Sequence, residues 1–300
     1  MADTTTKNKA ILVLGIGLLT VSIASILIKL CDAPALVIAT YRLTIASVFY
    51  LGYTGTKKGK FWQTFSREQI KTILISAVFL TIHFSTWITS LKYTSVASSV
   101  ILVQSAPVFV AFGSIIFLKE RPSVLLMVGA VIALLGSVMI SVLDYSHDKN
   151  AMTGNLLAIG GAIGAAGYLL AGRKIRRQVD LFSYVSAVYS LTAVALLILA
   201  ILNGASFFGF STEVYLIFFA IAIFPQIIGH TSLNWALKYF SATAVSIAIL
   251  AEPIGASIMA VFILGEQLTL AKIFWGTIIL GGVLIALVAE TKNNNKSNKQ

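Results

Sequence analysis

The sequence predicts an all-α polytopic membrane protein with ten transmembrane helices, arranged as two inverted repeats of five helices. Three observations predict this fold: an apolar composition, ten apolar stretches of membrane-spanning length, and an internal sequence repeat. Hydrophobic residues make up 58% of the chain and charged residues 11%, and the mean hydropathy is +0.92. A soluble domain has about 25% charged residues, so this chain requires lipid as its solvent.

The ten apolar stretches are each close to the ~20 residues that cross a hydrocarbon core as a helix. We place the spans at 10–30, 35–54, 70–90, 95–118, 122–143, 153–172, 182–202, 213–235, 241–264 and 270–289. Charged or turn-forming segments separate them, such as residues 54–60 and 173–180. No separating segment is long enough for a soluble domain, and the polar tails at 1–9 and 290–300 are expected to be disordered.

Basic residues are distributed unevenly among the segments between the predicted spans. The net charge of +11 would suit a nucleic-acid partner, but the positive-inside rule explains it without one. With ten spans, seventeen Lys and Arg residues lie on the side of the termini and four on the other side. We therefore expect an integral protein of a prokaryotic plasma membrane, with both termini in the cytoplasm and no nucleic-acid partner.

The residues that could carry enzyme chemistry are sparse. Cys31 is the only cysteine, so neither an intrachain disulfide nor a thiolate-rich metal site can form. The three histidines are scattered, and no nucleophile and base stand at helical spacing. We expect no enzyme activity, no metal and no cofactor.

A sequence repeat relates the two halves of the chain, which we divide into residues 1–147 and 148–300. A shift of 146 residues aligns the fourth predicted span with the ninth without a gap. The aligned identities include Leu91-Lys92-Tyr93 with Leu237-Lys238-Tyr239, Ser95 with Ser241, Pro107 with Pro253, and Glu120 with Glu266. A weaker match at a slightly different shift pairs Tyr41 with Tyr189. Because apolar helices share aliphatic residues by composition alone, the aligned Lys-Tyr, Pro and Glu are the informative identities.

The repeat is predicted to be inverted. Each half has five spans, an odd number, so the second half enters the membrane from the opposite side. Inverted repeats let two similar halves exchange conformations and open a midplane site to either side in turn. We therefore expect alternating access; the alternative is a duplication that only produced a stable bundle.

Several residues and short motifs also connect the chain to a known family. They are Lys29, Arg42-Leu43, Gln104-Ser105-Ala106-Pro107 to Leu118-Lys119-Glu120-Arg121, and Glu252-Pro253 to Leu264-Gly265-Glu266. In these residues the chain resembles the EamA-type transporters of the drug/metabolite transporter superfamily, and the resemblance covers essentially the whole chain. It implies a ten-helix inverted-repeat fold with a central cavity and the export of amino acids or related metabolites.

Two charged residues lie well inside predicted spans, where a charge needs a polar partner or water. Glu252 is ~16 Å from the inner end of its span and Arg42 is ~12 Å from the outer end. We expect both to face the cavity, either as a salt bridge that opens during transport or as separate contacts to the amine and carboxylate of a zwitterion. A permanent structural ion pair is the alternative. Because a buried carboxyl group favours its protonated form, Glu252 is also a candidate for proton coupling.

Prolines inside predicted spans are expected to kink their helices and free a carbonyl four residues earlier. The prolines are Pro107, Pro225 and Pro253, and the carbonyls are those of Val103, Ile221 and Ile249. A freed carbonyl can contact substrate or water, and a kink can shape a cavity. Gln104 lies beside the first kink at the depth of Arg42, so we expect it on the cavity wall.

Aromatic and polar residues complete the predicted substrate site. His83 and Trp87 are one helical turn apart and share a face of the third span. The alternatives are a hydrogen bond to a neighbouring helix for His83 and a membrane-interface position for Trp87. Gln226, His230 and Asn234 form a polar stripe in the eighth span, although Asn234 would also suit the interface.

Other polar or small residues receive weaker or structural roles. Tyr168 is a further candidate for the inner half of the cavity. Glu120 and Glu266 lie at helix ends, where capping or hydrogen bonding between helices suits them better than contact with substrate. Gly160 and Gly164 in the sixth span form a small-xxx-small pair, which favours close helix packing.

Together these features predict a secondary transporter that exports small metabolites, most of all amino acids or related zwitterions. The alternatives are a multidrug, nucleotide-sugar or sugar-phosphate carrier and, in another class, a channel. A phosphate substrate would favour several buried cations, and Arg42 is the only one in mid-span. The expected partners are a small-molecule substrate and the lipid bilayer, and both a monomer and an oligomer are left open.

Overall fold

The computed structural model describes residues 4–56, 65–118, 149–249 and 252–297, with the shorter stretches 123–125, 127–129, 131–132, 135–136 and 139. Within this part the secondary structure is helical and contains no strand. The α-helices are α1 (Thr4–Ser22), α2 (Ala24–Leu30), α3 (Ala35–Thr56), α4 (Arg67–Tyr93), α5 (Val96–Val103), α6 (Ala106–Gly113), α7 (Lys149–Arg176), α8 (Leu181–Leu202), α9 (Thr212–Ile221), α10 (Thr231–Ala236), α11 (Ala242–Ala248), α12 (Glu252–Leu264) and α13 (Leu270–Ser297). Two π-helical segments, Ser114–Leu118 and Ala222–His230, follow α6 and α9.

Seven helical stretches among the described residues are long and apolar enough to cross a membrane. They are Leu12–Leu30, Ala35–Gly55, Arg67–Tyr93, Val96–Leu118, Ala151–Arg176, Leu181–Leu202 and Thr212–Ala236. These stretches overlap the first four predicted spans and the sixth to the eighth. Half of the predicted fifth span, 122–143, lies outside the described residues, the ninth contains α11 and α12, and the tenth lies within α13.

The terminal segments are more helical than the sequence predicts. Helix α1 begins at Thr4 and α13 continues to Ser297. The prediction of disordered tails at 1–9 and 290–300 was therefore wrong over most of their length. Extending an existing helix by one residue costs far less than nucleating a new one, so polar residues next to a membrane span can continue its helix.

Three of these seven stretches change their helical course part-way. The first changes from α1 to α2 at Ile23, and the fourth from α5 to α6 at 104–105. The predicted eighth span changes from α9 to the π-helix at Ala222–His230. In the predicted ninth span, α11 ends at Ala248 and α12 begins at Glu252, and residues 250–251 between them lie outside the described residues. The predicted uniform spans are thus made of shorter segments around the centre of the bundle.

The most extensive helix packing joins one helix from each half of the chain. Helix α4 packs against α7, and α3 packs against α8. Glycines let α7 approach α4 closely: a Cβ added at Gly164 would lie 2.5 Å from the backbone nitrogen of His83, and one at Gly161 would lie 2.9 Å from Cβ of Trp87. At Gly160 the nearest atom would be 3.6 Å away, which is ordinary contact. The small residues of α7 therefore set the position of His83 and Trp87 relative to α7.

Large apolar side chains are exposed around the outside of the bundle. Examples are Leu19, Val48, Phe117, Leu202 and Phe262. A soluble protein rarely exposes so much contiguous apolar surface. Lipid chains solvate such a surface, in agreement with the composition.

Candidate functional site

A cavity in the centre of the bundle collects the charged and polar residues that lie inside the membrane spans. Of the eight residues predicted to contact substrate, seven line it: Arg42, His83, Trp87, Gln104, Tyr168, His230 and Glu252. The remaining wall is mostly apolar and includes Val21, Leu169, Leu233 and Ile249. The lining residues come from both halves of the chain, so the cavity lies between the predicted repeats.

Arg42 is the most enclosed charged residue of the site. Its side chain has 0% exposed surface. The Nε atom donates a hydrogen bond of 2.7 Å to Oε1 of Gln226, and the guanidinium carbon lies 4.3 Å from the ring centroid of Phe84. The Nη1 and Nη2 atoms have no hydrogen-bond partner among the described residues. One edge of the guanidinium is thus held in place, and the two nitrogens best suited to a carboxylate are unpaired.

Glu252 is held separately from Arg42. It is the first residue of α12, and its Oε2 atom accepts a hydrogen bond of 2.8 Å from Nε2 of Gln104. Within the described part of the chain, Arg42 and Glu252 form no ion pair. In this conformation neither the salt bridge nor the permanent ion pair considered from the sequence is present, since each charged group has a neutral amide partner instead.

His83 and Trp87 form an aromatic wall on α4. The Nδ1 atom of His83 lies 2.8 Å from the carbonyl oxygen of Gly161, which can only accept a hydrogen bond, so Nδ1 carries the proton. The rings of His83 and Trp87 are stacked, with centroids 5.7 Å apart and planes 7° apart. Trp87 is only 3% exposed and its Nε1 atom is unpaired. Close packing of α4 on α7 encloses the indole, so Trp87 does not face the outside of the bundle, and its depth in the membrane stays a prediction.

His230 and Tyr168 extend the site towards the other end of the bundle. The His230 ring centroid lies 6.1 Å from that of His83 and 6.4 Å from that of Tyr168. The Nδ1 atom of His230 has no hydrogen-bond partner among the described residues. The hydroxyl of Tyr168 accepts a hydrogen bond from Nδ2 of Asn234. The two residues therefore connect the cavity with the buried amide group of Asn234.

The three residues of the polar stripe predicted in the eighth span do not face the cavity together. Gln226 and His230 lie in the π-helix, and Asn234 lies in α10. Only His230 of the three residues lines the cavity. Gln226 lies behind Arg42, and Asn234 is fully buried against Tyr168 and Tyr189. The tyrosine hydroxyls are partners for Nδ2 of Asn234, whereas its Oδ1 atom has no partner among the described residues. The interface position of Asn234 stays a prediction.

A buried network of hydroxyl and amide groups, which is not evident from the sequence, lies next to the cavity. The Tyr50 hydroxyl donates to Oγ1 of Thr231 at 2.9 Å, and the Tyr189 hydroxyl lies 3.3 Å from the same atom. Asn234 Nδ2 lies 3.3 Å from the Tyr189 hydroxyl and bonds Tyr168. The only sequence signal was the weak match of Tyr41 with Tyr189. Tyrosines on different helices reveal their partners only when the helices are packed.

The prolines coincide with the changes of helical course. Helix α5 ends at Val103, whose carbonyl was expected to lose its partner to Pro107. Regular α-helix likewise ends at Ala248, beside Ile249, before Pro253. Val103 and Ile249 both line the cavity.

Pro225 differs because it lies inside the π-helix Ala222–His230. A π-helix pairs each carbonyl with the N–H five residues later. This pitch offers the Ile221 carbonyl the N–H of Gln226, so the expectation of a free carbonyl there does not apply.

At the end of the bundle that contains Lys29, charged side chains form hydrogen bonds with backbone groups of neighbouring segments. Lys29 Nζ donates to the carbonyl oxygen of Leu91 at 2.7 Å, and Lys92 Nζ donates to that of Cys31 at 3.0 Å. Glu266 Oε1 accepts from the backbone N–H of Val96 at 2.8 Å, which caps α5. Glu266 thus has the interhelical role expected from the sequence, whereas Glu120 lies outside the described residues.

Metal ligation has no support among the described residues. They contain no group of three or more His, Cys, Asp or Glu side chains that could hold a metal ion. The chemistry available in the cavity is hydrogen bonding, charge pairing and aromatic contact.

Comparison with known proteins places this fold and site in a family. The sequence model of the EamA-like transporter family matches the chain twice, over residues 8–142 and 152–288. The chain belongs to the EamA-like transporter family. Together with the membrane-spanning helices, this membership identifies an integral membrane transporter.

Individual relatives are similar along most of the chain. A protein of Archaeoglobus fulgidus named an uncharacterized transporter is 22% identical over 252 residues, which cover 83% of this chain and 86% of that protein. The uncharacterized transporter YwfM of Bacillus subtilis is 26% identical over 225 residues, which cover 73% of this chain and 74% of that protein. A solved crystal structure has a similar fold, with a TM-score of 0.70 at 18% identity over 95% of this chain and 98% of that chain.

Proposed function

We propose that this EamA-family transporter is a secondary carrier that exports amino acids or related zwitterions by alternating access. The observation that carries the proposal is the state of Arg42, whose Nη1 and Nη2 atoms are buried and unpaired beside a cavity that also contains Glu252. A carboxylate and an ammonium group on one small molecule would complement this pair.

The carboxylate of the substrate would bind Arg42. A guanidinium presents two parallel N–H donors to a carboxylate, and such bidentate pairs are among the strong hydrogen bonds of proteins. Gln226 occupies Nε, so the Nη1 and Nη2 edge is the one left for a ligand. Because Arg42 has no exposed surface, binding requires the cavity to widen, as it does when a carrier opens to one side.

The amine of the substrate would bind Glu252. Gln104 satisfies one hydrogen bond of this carboxyl group, and a carboxylate can accept several. The same carboxyl is our candidate for proton coupling, since a proton and an ammonium group would compete for it. The apolar wall of Val21, Leu169 and Leu233 would then contact the substrate side chain.

The alternating-access part of the proposal requires the ten-span inverted repeat predicted from the sequence. The two matches of the family, over residues 8–142 and 152–288, support a division into two similar halves. The uneven distribution of Lys and Arg supports a plasma-membrane orientation with both termini in the cytoplasm. Cysteines introduced at the two termini and tested with an impermeant thiol reagent on intact cells would measure that orientation.

The test of the proposed substrate is transport into proteoliposomes of the purified protein. A panel of radiolabelled amino acids would be compared with matched analogues that lack either the carboxylate or the amine, with and without a pH gradient. We expect saturable uptake of at least one amino acid and at least tenfold weaker competition by each analogue. The variant Arg42→Lys keeps the charge but loses the two parallel N–H donors of the guanidinium. It should bind the amino acid less well and the decarboxylated amine equally well.

Other outcomes would favour the alternatives. If a phosphorylated sugar or a nucleotide-sugar is transported and no amino acid is, the proposed substrate class is wrong. Uptake that does not saturate, and that unlabelled substrate on the opposite side does not accelerate, would indicate a channel.

A further inference from the structure

Two basic residues, one in each half of the chain, hold the ends of neighbouring spans together. Lys29, in the last turn of α2, donates from Nζ to the carbonyl oxygen of Leu91 at 2.7 Å, near the end of α4. Arg173, in the last turn of α7, donates from Nη1 to the carbonyl oxygen of Leu237 at 2.8 Å, directly after α10. Each cation satisfies a carbonyl at a helix C-terminus, where the last carbonyls lack partners within the helix. We call these contacts the Lys29 clamp and the Arg173 clamp.

The two clamps occupy equivalent positions in the sequence repeat. The shift of 146 residues that aligns the fourth predicted span with the ninth also aligns Leu91 with Leu237. A shift of 144 residues aligns Lys29 with Arg173. In both halves a basic residue at the end of the first span therefore binds a leucine carbonyl at the end of the third span. The same contact at matched positions of both halves points to a shared role.

The clamps lie at opposite ends of the bundle. Helices α4 and α7 are antiparallel: Gly154 near the start of α7 packs against Thr94 after the end of α4, and Gly167 further along α7 packs against Phe79. One clamp is at the end of α4 and the other is at the end of α7. The two clamps are therefore separated by the length of these helices.

Each clamp lies about one helical turn beyond the wall of the cavity. Trp87 lines the cavity and precedes Leu91 by four residues. Leu233 also lines the cavity and precedes Leu237 by four residues. Four residues of helix rise by ~6 Å. Two cavity-lining spans are thus joined just beyond each end of the cavity, and the cavity cannot widen between them at that end while the bond is intact.

The wall of the cavity follows the same repeat as the clamps. The shift of 144 residues aligns Ala24 with Tyr168, and the shift of 146 residues aligns Val103 with Ile249. All four residues line the cavity. The two halves therefore contribute equivalent positions to the wall, and each half supplies the clamp at one end.

We propose that the two clamps are matched gates: the cavity opens to one end when the Lys29 clamp is released and to the other end when the Arg173 clamp is released. This proposal rests on the proposed function for alternating access, in which one repeat gates against the other around a fixed site. Both clamps are formed in this structure, in which Arg42 and Glu252 are buried. Release of one clamp opens one side, and the intact clamp keeps the opposite side closed.

The end with the Lys29 clamp has a second bond between the same two spans. Lys92 Nζ donates to the carbonyl oxygen of Cys31, which follows α2, at 3.0 Å. The repeat aligns Lys92 with Lys238, but Lys238 is exposed and its Nζ lies 6.0 Å from the ring centroid of Tyr239. A test at the first end therefore removes both Lys29 and Lys92.

The experiment measures access to the cavity and needs no substrate. In protein that carries Cys31→Ser, the substitution Val103→Cys places a reporter on the cavity wall, and a membrane-impermeant maleimide is added to intact cells or to inside-out membrane vesicles. Labelling from one side follows the population of the conformation open to that side. We expect Lys29→Met with Lys92→Met to accelerate labelling about fivefold or more from one side only, and Arg173→Met to do so from the opposite side only. With the predicted orientation, the first side is the outside of the cell.

Control variants separate a gate from a contact that only stabilises the fold. Lys174→Met removes an exposed cation next to Arg173 in the sequence and should leave labelling unchanged. Lys29→Arg and Arg173→Lys keep a donor and should retain slow labelling. If a methionine variant does not fold, the shorter glutamine at the same position takes its place. Acceleration from both sides at once, or no acceleration in a folded variant, would overturn the proposal.

This test gives a result that is independent of the proposed substrate. If no amino acid is transported but the variants open opposite sides, the proposed substrate is wrong and the matched gates stand. If an amino acid is transported with saturation but the variants do not change access, the gates are wrong and the proposed substrate stands.

Discussion

Arg42 donates a hydrogen bond of 2.7 Å from Nε to Oε1 of Gln226, a residue 184 positions away in the other half of the chain. This contact joins α3 to the π-helix Ala222–His230 and orients the guanidinium, whose Nη1 and Nη2 atoms have no hydrogen-bond partner in the described part of the chain. Arg42 therefore belongs to a helix of the first half and is oriented by a residue of the second half. A movement of the two halves relative to each other would change its orientation.

The bond between Gln226 and Arg42 predicts that Gln226 positions the carboxylate site. A hydrogen bond to a charged group contributes ~1.5–3 kcal/mol, so Gln226→Leu should raise KM for an amino acid about tenfold or more. Gln226→Glu keeps an acceptor for Nε but adds a carboxylate beside Arg42, so it should also raise KM because it competes with the carboxylate of the substrate. KM measured in proteoliposomes provides the test, and an unchanged KM in Gln226→Leu would contradict the positioning role.

Proton coupling at Glu252 predicts a specific change in the response to pH. Glu252→Gln keeps the size of the side chain and its contact with Gln104 but cannot exchange a proton. We expect this variant to lose the acceleration of uptake by an imposed pH gradient. Pronounced gradient-driven uptake in Glu252→Gln would exclude Glu252 as the coupling group.

The close packing of α7 on α4 predicts different effects for two neighbouring glycines. A Cβ at Gly164 would lie 2.5 Å from the backbone nitrogen of His83, whereas one at Gly160 would have its nearest neighbour at 3.6 Å. Overpacking of this kind costs ~1–3 kcal/mol, so Gly164→Ala should lower Tm by several degrees and weaken transport. Gly160→Ala is the matched control and should change neither. Equal Tm values for the two variants would show that α4 can move away without cost.

The cap that Glu266 places on α5 predicts local protection of its first turn. The carboxylate accepts hydrogen bonds from the N–H groups of Val96 at 2.8 Å and Ala97 at 3.4 Å. Loss of a helix cap costs ~0.5–2 kcal/mol, so Glu266→Ala should accelerate amide hydrogen exchange at residues 96–97. Glu266→Gln, which keeps an oxygen acceptor, should have an intermediate effect. Exchange rates followed by mass spectrometry on peptides that cover α5 would test this.

Cys31 is predicted to react slowly with thiol reagents. It is fully buried at the end of α2, and burial raises the pKa of its thiol to about 11. The thiolate is the reactive form, so labelling by maleimide should be slow at pH 7 and should accelerate as the pH rises towards that value. An exposed control, Ser206→Cys, should react at least tenfold faster at pH 7. Labelling of the wild type at the rate of this control would contradict the burial of Cys31.

Part of the site was predictable because a charged side chain in an apolar helix must face a polar cavity or another polar group. Arg42, Glu252 and Gln104 were each expected at the cavity from their depth in a span, and the structure brings them to one cavity. The two histidines and Trp87 followed from helical spacing on faces that contain few other polar groups.

The pairing of these residues was not predictable from spacing. The sequence suggested Arg42 with Glu252, but the structure pairs Arg42 with Gln226 and Glu252 with Gln104, which is 148 positions away. The π-helix moved Gln226 off the cavity wall, and the buried network around Thr231 joins tyrosines from three helices. Helical periodicity relates residues within a few turns and contains no information on which helix is the neighbour.

The membrane class, the position of most spans and the residue types of the cavity could be predicted from the amino-acid sequence. Each of these depends on hydropathy summed over about 20 residues or on the high cost of a charge in lipid, and both are local properties. Only the tertiary structure decided which nitrogen atoms of Arg42 are unpaired, where α4 rests on α7, and which residues hold Glu252. These depend on contacts of a few ångströms between helices distant in sequence, and such contacts exist only when the bundle is packed.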